Sequence, residues 1–427
     1  MRYEAALAAL EARGEGRMVP SLDRIRAVTE LLGDPQLTYP TVHVAGTNGK
    51  TTTARLVTRI LCAHGLATGL TTSPHLVSVT ERLALCDEAI SPPELAETYA
   101  HLEPYLRQVD AGGEPVTYFE TMAAMAYLWF ADKPVDVGVF EVGMGGSWDA
   151  TNLIRSEVAI VCPISLDHRE LGDTVKEVAR EKAGILKEGT AAVVREQRPE
   201  AVVVLEARAS EVGATIHAEG DAFALTGREL AVGGQQISVR GIHGEYRDLA
   251  LHLHGEHQAR NAAAAIVGAE ILLGRELAAD PLRQALSGAS SPGRLEVAGR
   301  HPLIVLDGAH NPEGAAALAA AIGEAFLWQR LLLVVSILDT KDAAGILEGL
   351  ASRATTAYAC ASRHPRALPA DRMAELCDAA GIPAIPHASV GEALDAAEAA
   401  AAPDDLILVT GSLYTVADAR PRYLKGT

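Results

Sequence analysis

The segment Ala45-Gly46-Thr47-Asn48-Gly49-Lys50-Thr51-Thr52 places two glycines, a lysine and adjacent hydroxyls in one short stretch. Glycines let a backbone curl until its amides converge on a phosphate group. Lys50 would neutralise the outer phosphates, and the Thr51 hydroxyl would ligate magnesium. The usual phosphate-loop spacing puts a glycine at position 44, where this chain has Val44, so the loop is a shorter variant. Further along, Ser73, Glu141 and His168 stand as isolated polar residues at the ends of apolar runs. A hydroxyl, a carboxylate and an imidazole could serve as metal ligands near phosphate, with water completing a magnesium shell. Imidazole is an unusual magnesium ligand, and by spacing alone each of the three reads equally well as a structural residue.

These side chains need elements to carry them. Thr41–Ala45 is a short β-rich run, and a helix carrying Leu56, Ile60 and Leu61 follows the loop. Strand, glycine turn and helix together aim backbone amides and a positive helix end at an anion. That context favours a phosphate loop over a turn with an incidental lysine. Residues 2–13 read as a helix, and Ser21 as the N-cap of another that carries Ile25 and Val28. The runs 135–142 and 158–164 are apolar without alternation, which predicts parallel strands covered on both faces, and 175–186 reads as a helix. Residues 221–254 show short alternating runs around Gly233-Gly234, a small antiparallel insertion. A long Ala-rich helix is expected over 257–274. After the turn-rich Ser290-Ser291-Pro292-Gly293 comes an alternation of strands (303–307, 330–337, 355–360, 405–410) and helices (312–326, 341–352, 369–380, 390–401). The fold class is therefore α/β: a P-loop-type ATPase domain with a mostly parallel sheet over 1–292, and a smaller Rossmann-like domain over 293–427.

Composition narrows the function classes. The 427 residues carry 37 Lys and Arg against 55 Asp and Glu, a formal charge of −18. A basic surface marks nucleic-acid binding, and this balance is its opposite, so no nucleic-acid polymer is expected as a partner. The apolar stretches fall far short of the roughly 20 residues of a membrane span, so no membrane partner is expected. Five scattered cysteines without a C-x-x-C pair suit a reducing, cytoplasmic setting and argue against disulfides or a cysteine zinc site.

Several motifs, in order, resemble the folylpolyglutamate synthase/dihydrofolate synthase family of the Mur-ligase superfamily. They are His43-Val44-Ala45-Gly46-Thr47-Asn48-Gly49-Lys50, Thr72-Ser73-Pro74-His75-Leu76, Glu141-Val142-Gly143-Met144-Gly145-Gly146, Asp149-Ala150-Thr151-Asn152, Leu166-Asp167-His168 and Glu181-Lys182-Ala183-Gly184-Ile185. His257-Gln258-Ala259-Arg260-Asn261, Pro292-Gly293-Arg294, Asp307-Gly308-Ala309-His310-Asn311-Pro312 and Gly411-Ser412-Leu413-Tyr414 extend the likeness over nearly the whole chain.

The resemblance implies ATP-driven amide formation between a pterin-linked carboxylate and L-glutamate, through an acyl phosphate. The acceptor would be dihydropteroate or a reduced folate, and the C-terminal domain would be the glutamate ligase domain. By the same resemblance Thr47, Asn48, Gly49, Lys50, Thr51 and Thr52 cradle ATP, while Asn261, Arg294 and Asp307 contact the nucleotide from both domains. Thr51, Ser73, Glu141, His168 and Lys182 match metal-site positions, with Mg2+ as the ion and Lys182 carbamylated. Lys50, His168, Lys182 and His310 match catalytic positions. Thr117, Tyr118, Phe119, Glu120, Trp148, Asp149 and Ala150 match segments that contact the pterin. A monomer is expected.

The chain also departs from the family pattern. Ser147 stands where the family usually has Arg, Thr51-Thr52 replaces Gly-Ser, and Arg169-Glu170 after His168 is atypical. The Lys-Thr-Thr ending resembles the cell-wall ligases, which keeps a UDP-muramoyl amino-acid ligase as the alternative enzyme. A non-ligating nucleotide switch is the alternative of another class, although no guanine-type N-K-x-D signature is present.

Overall fold

The computed structural model describes residues 1–14, 19–166 and 169–424. The chain divides into two compact units. One comprises 1–227, 237–250 and 260–289, the other 228–236, 251–259 and 290–427.

The first unit is built on an eight-stranded sheet. Its strands are β1 (Thr41–Ala45), β2 (Thr68–Thr71), β3 (Leu83–Leu85), β4 (Glu88–Ala89), β5 (Val137–Glu141), β6 (Val158–Val161), β7 (Ala191–Val194) and β8 (Thr215–Ala218), in the spatial order β4-β3-β2-β5-β1-β6-β7-β8. From β2 to β8 all neighbours run parallel, and only the β2–β3–β4 edge is antiparallel. Every residue of β1, β5 and β6 is buried. Such strands need apolar side chains on both faces, which is why their sequence does not alternate. β1 lies between β5 and β6, where the strand order reverses, so the loops leaving the carboxyl ends diverge and open a crevice there.

One apolar cluster under this sheet gathers Leu10, Ile25, Tyr99, Tyr127, Phe130 and Phe140, and another packs the helix Val175–Ala183 and the helix Pro199–Val212. Ser21 lies outside the helix Asp23–Leu31. Its Oγ accepts from the Asp23 amide at 3.0 Å, while Leu22 takes the cap position.

Three further strands, β9 (Ala224–Ala231), β10 (Gly234–Arg240) and β11 (Glu245–Leu251), make a separate sheet in the region expected to hold the insertion. The second unit carries β12 (Glu296–Arg300), β13 (Leu303–Leu306), β14 (Leu331–Val335), β15 (Thr356–Cys360), β16 (Ala384–His387) and β17 (Leu406–Thr410), in the order β12-β13-β17-β14-β15-β16. β12 pairs antiparallel with β13 and the remaining neighbours are parallel. The edge strands β12 and β16 escape sequence reading because an edge has one neighbour and half-exposed side chains. β16, Ala-Ile-Pro-His, lacks the long apolar run of a central strand.

Among the described residues no helix is long and apolar enough to cross a membrane. The cysteine expectation is corrected: Cys62 and Cys86 are joined as a disulfide, with Cα atoms 5.9 Å apart, while Cys162, Cys360 and Cys377 are buried and free. Spacing could not reveal the pair, because the antiparallel return of β3 brings Cys86 back to the end of the helix Lys50–Ala63.

The bond closes a loop of sequence separation 24, and constraining an unfolded loop of that length is worth about 3 kcal/mol. Reductant, or Cys62→Ser with Cys86→Ser, should therefore lower the thermal midpoint of the first unit. An unchanged melting curve with and without reductant would show that the bond contributes nothing to stability.

Candidate active site

The loop after β1 turns on two glycines with positive φ. Gly46 has φ +144°, and a Cβ there would stand 2.5 Å from the Cys162 Cβ and 2.9 Å from the Cys162 carbonyl oxygen. Gly49, at φ +93°, starts the helix Lys50–Ala63. Only glycine adopts such backbone without strain, so the loop can lie directly on the end of β6. Thr47 pins it there. Its amide donates to the Pro163 carbonyl (2.9 Å), its Oγ1 donates to the Ser165 carbonyl (3.0 Å), and the same Oγ1 accepts from the Ser165 amide (3.0 Å). The Lys50 ammonium folds back onto the Thr47 carbonyl at 3.2 Å, and Thr52 is buried on the first turn of the helix.

The Glu141 carboxylate, at the end of β5, is buried and holds two neighbours. Oε1 accepts from the Thr51 hydroxyl at 2.7 Å, and Oε2 accepts from the Ser73 amide at 3.1 Å. Three of the five metal-site positions named from sequence thus come together across β1, β2 and β5. His168 lies outside the described residues. Among the described residues no group of three or more His, Cys, Asp or Glu is placed to hold a metal ion. A hydroxyl and a carboxylate are nevertheless the hard oxygen donors that magnesium takes, so Thr51 and Glu141 fit that ion.

Lys182 is buried on the helix Val175–Ala183, whose start is fixed by a capping box between Thr174 and Glu177. Its ammonium donates to the Gly46 carbonyl at 2.7 Å, which brings it to the glycine turn after β1. The loop after β5 docks on the end of the same helix. The Ser147 amide donates to the Glu181 carbonyl (2.9 Å), and Asn152 Nδ2 donates to the Ser147 and Gly184 carbonyls (3.1 and 3.2 Å). Ser147 itself is exposed, with its hydroxyl donating to the Glu181 carbonyl at 3.1 Å.

The segments matched to pterin contact divide by environment. Thr117 and Glu120 cap the helix Tyr118–Asp132 reciprocally. Glu120 also accepts two hydrogen bonds from Arg24, at 3.0 and 2.9 Å. Asp149 is buried and accepts from the Met144 and Thr151 amides, each at 2.9 Å; burial raises its carboxyl above the ordinary value. Thr151 in turn meets Nε2 of buried His43 at 2.8 Å, and Ala150 is buried with its carbonyl accepting from the Tyr127 hydroxyl at 2.7 Å. These residues shape the loops. Phe119 and Trp148 are half-buried, and Tyr118 is buried with the Arg82 guanidinium 5.2 Å from its ring centre.

Asn261, on the helix Glu256–Leu273, is buried and packs on the glycine turn: a Cβ at Gly49 would stand 2.6 Å from Asn261 Oδ1. Sequence reasoning does not foresee its partner Arg195, just past β7, nor Glu219, just past β8, on which Arg195 is anchored. The sequence offers only a charged residue after a short run at each place, too short to mark a strand by itself.

In the second unit, Asp307 follows β13. It is buried and accepts from the Leu295 and Ala309 amides, each at 2.8 Å. Burial raises its carboxyl above the ordinary value, against the opposing pull of nearby Arg294. His310 Nδ1 meets the Gly308 carbonyl at 2.8 Å, and Asn311 caps the helix Pro312–Ala325 through its side-chain oxygen. Arg294, Asp307 and His310 therefore form one cluster at the carboxyl end of this sheet.

Known proteins resemble this chain in sequence and fold. Residues 44–269 match the Mur ligase middle domain, and residues 293–413 the glutamate ligase domain of Mur ligases. A dihydrofolate synthase/folylpolyglutamate synthase of Mycobacterium tuberculosis is 42% identical over 379 residues, 84% of this chain and 78% of the relative. The Bacillus subtilis protein of the same name is 34% identical over 431 residues, 98% of this chain and 99% of the relative. Among solved structures, Mycobacterium tuberculosis folylpolyglutamate synthase complexed with ADP superposes with a TM-score of 0.95 at 39% identity, covering 99% of this chain and 98% of that one. Escherichia coli FolC in complex with DHPP and ADP gives 0.87 at 31% identity, covering 98% and 97%.

The glycine geometry makes one expectation direct. Gly46→Ala would force a methyl group against the backbone and side chain of Cys162 at a backbone angle alanine rarely adopts. Stability should drop by about 1–3 kcal/mol, with weakened ADP binding by calorimetry. A variant that melts and binds like the parent would show that the loop does not need this close approach.

Proposed function

The chain belongs to the folylpolyglutamate synthase/dihydrofolate synthase family of Mur ligases, and on that premise we propose that it joins L-glutamate to a pterin-linked carboxylate at the expense of ATP. The acceptor is dihydropteroate, a reduced folate or both. The observation that carries this reading is the meeting of the Thr51 hydroxyl and the Ser73 amide on the Glu141 carboxylate, beside the Lys50 turn.

A carboxylate is a poor electrophile, because its charge is spread over two oxygens and neither can leave. Transfer of the γ-phosphoryl group turns one oxygen into a leaving group. The acceptor carboxylate oxygen attacks the γ-phosphorus, the bond to the bridging oxygen breaks, and ADP departs. The amine of glutamate then attacks the acyl carbon, loses a proton and expels inorganic phosphate, leaving an amide. The first step needs little covalent help from the protein; it needs the two anions aligned and their charge offset. The Gly46–Gly49 turn offers backbone amides, and Lys50 together with the start of its helix offers positive charge. Thr51 and Glu141, with Ser73 and His168, would hold magnesium, which offsets charge on the transferring phosphate. Asn261, in the first unit, and Arg294 and Asp307, in the second, match nucleotide-contacting positions of the family. His310 serves on its phosphate side.

Lys182 is carbamylated in this reading. Its amine would attack carbon dioxide, lose a proton and become an anionic carbamate suited to a second magnesium ion. A carbamate nitrogen keeps one hydrogen, so the bond to the Gly46 carbonyl survives the modification. Phe119 and Trp148 offer ring faces to the pterin, with buried Tyr118 beside them under the Arg82 guanidinium. Thr117, Glu120, Asp149 and Ala150 set the loops that present those rings.

Purified protein should release phosphate only when ATP, magnesium, L-glutamate and a pterin acid are all present, with dihydropteroate and tetrahydrofolate compared as acceptors. Release triggered instead by a UDP-muramoyl acceptor would replace the folate assignment, and equal turnover without any acceptor would favour a switch. Lys182→Ala should lose at least tenfold in turnover, a typical cost of disturbing support for a metal site, and short carboxylates should restore part of it. An active enzyme whose intact mass and crystal structure show unmodified Lys182 would remove the carbamate.

A further inference from the structure

Behind the Lys50 turn lies an ion network that the reaction described above does not use. The Arg195 guanidinium and the Glu219 carboxylate are each only 4% exposed, and Arg195 Nε donates to Glu219 Oε2 at 2.9 Å. Glu219 also accepts from Arg260 Nε at 2.8 Å and from the Glu196 amide at 2.8 Å. Burial alone would raise the Glu219 carboxyl, but Arg195, the Glu196 amide and Arg260 hold it below its ordinary value. The carboxylate therefore stays ionised and fixes the Arg195 plane. A guanidinium is a rigid fork, so anchoring one edge aims the other.

The free arm of that fork has a specific target. Arg195 Nη1 donates to Asn261 Oδ1 at 2.5 Å. An amide side chain presents an acceptor at one end and donors at the other, and nothing in its shape prevents a flip. With a permanent cation at Oδ1, the orientation that turns Nδ2 toward Arg195 would set donor against donor. The same Asn261 amide lies against Gly49, where the phosphate loop enters its helix. Arg195 and Lys50 also both pull the Cys162 thiol down against the effect of burial, which places both cations around the end of β6.

We propose that Arg195 is a positioning residue for the nucleotide site: anchored on Glu219, it holds the Asn261 amide in the single orientation in which that amide meets ATP. The proposal rests on the nucleotide role assigned to Asn261 above. It predicts that Arg195 acts on nucleotide binding only through Asn261, and has no share in binding glutamate or the pterin acid.

ADP affinity of the full chain, measured by calorimetry with magnesium present, tests this with Asn261→Ala, Arg195→Met and their combination. Asn261→Ala should weaken ADP binding. Arg195→Met should weaken it about tenfold, the usual scale for a hydrogen bond to a charged group, and should raise the KM for ATP while leaving that for glutamate unchanged. The combined variant should bind no worse than Asn261→Ala alone. Arg195→Lys keeps the charge beside Glu219 but has no second arm, so it should fold and still lose affinity. It replaces Arg195→Met in the comparison if that variant does not fold. A combined variant that is weaker by the full Arg195 factor would overturn the positioning role and leave a structural one, as would parental affinity in both Arg195 variants. Parental affinity in Asn261→Ala would remove the nucleotide role of Asn261, and the proposal with it.

Discussion

The buried Glu141 carboxylate is the interaction on which the site in the first unit depends. It ends β5, receives the Thr51 hydroxyl from beyond β1, and receives the Ser73 amide from beyond β2. A carboxylate buried in this way must be satisfied, and here groups from two neighbouring segments satisfy it. The demand for partners therefore becomes a geometric constraint, drawing the ends of three adjacent strands together where the strand order reverses. The glycine turn can then lie flat on β6, because Gly46 has no side chain to strike Cys162.

Charge is distributed on the same plan. The chain carries −18 overall, yet Lys50, Lys182 and Arg195 gather at the carboxyl ends of β1, β6 and β7 or on the helix packed beside them. Lys182 and Arg195 are buried there, each against a specific acceptor, where solvent screens their fields less than at the surface. Global charge describes the solvated face of the protein. At the turn after β1 the local balance is set instead by Lys50 and by the backbone amides of the turn.

Some of the expected ligand contacts take on a different character once packing is known. Thr117 and Glu120 form a helix cap braced by Arg24, and Asp149 holds a loop together from inside. Such residues hold a loop in one shape, and a sequence motif does not separate that duty from contact with a substrate. The half-buried rings of Phe119 and Trp148 remain the groups with a face to offer.

The α/β class, the glycine turn and the helix after it, the central strands, and Thr51, Ser73 and Glu141 as candidates are all legible in the sequence. Each of these leaves a local trace: unbroken apolar runs for strands buried on both faces, glycine at turns, and polar residues where such runs end. Tertiary structure alone decided what stood beside what. Cys62 meets Cys86 because an antiparallel edge folds back, and the edge strands β12 and β16 are defined by pairing more than by composition. Arg195, Glu219 and Asn261 come from three separate segments, and Asn261 meets the loop that begins at Gly46. The spacing of residues along a chain carries local backbone preference; the partner of a buried charge is chosen only when distant segments are packed so that its desolvation is offset.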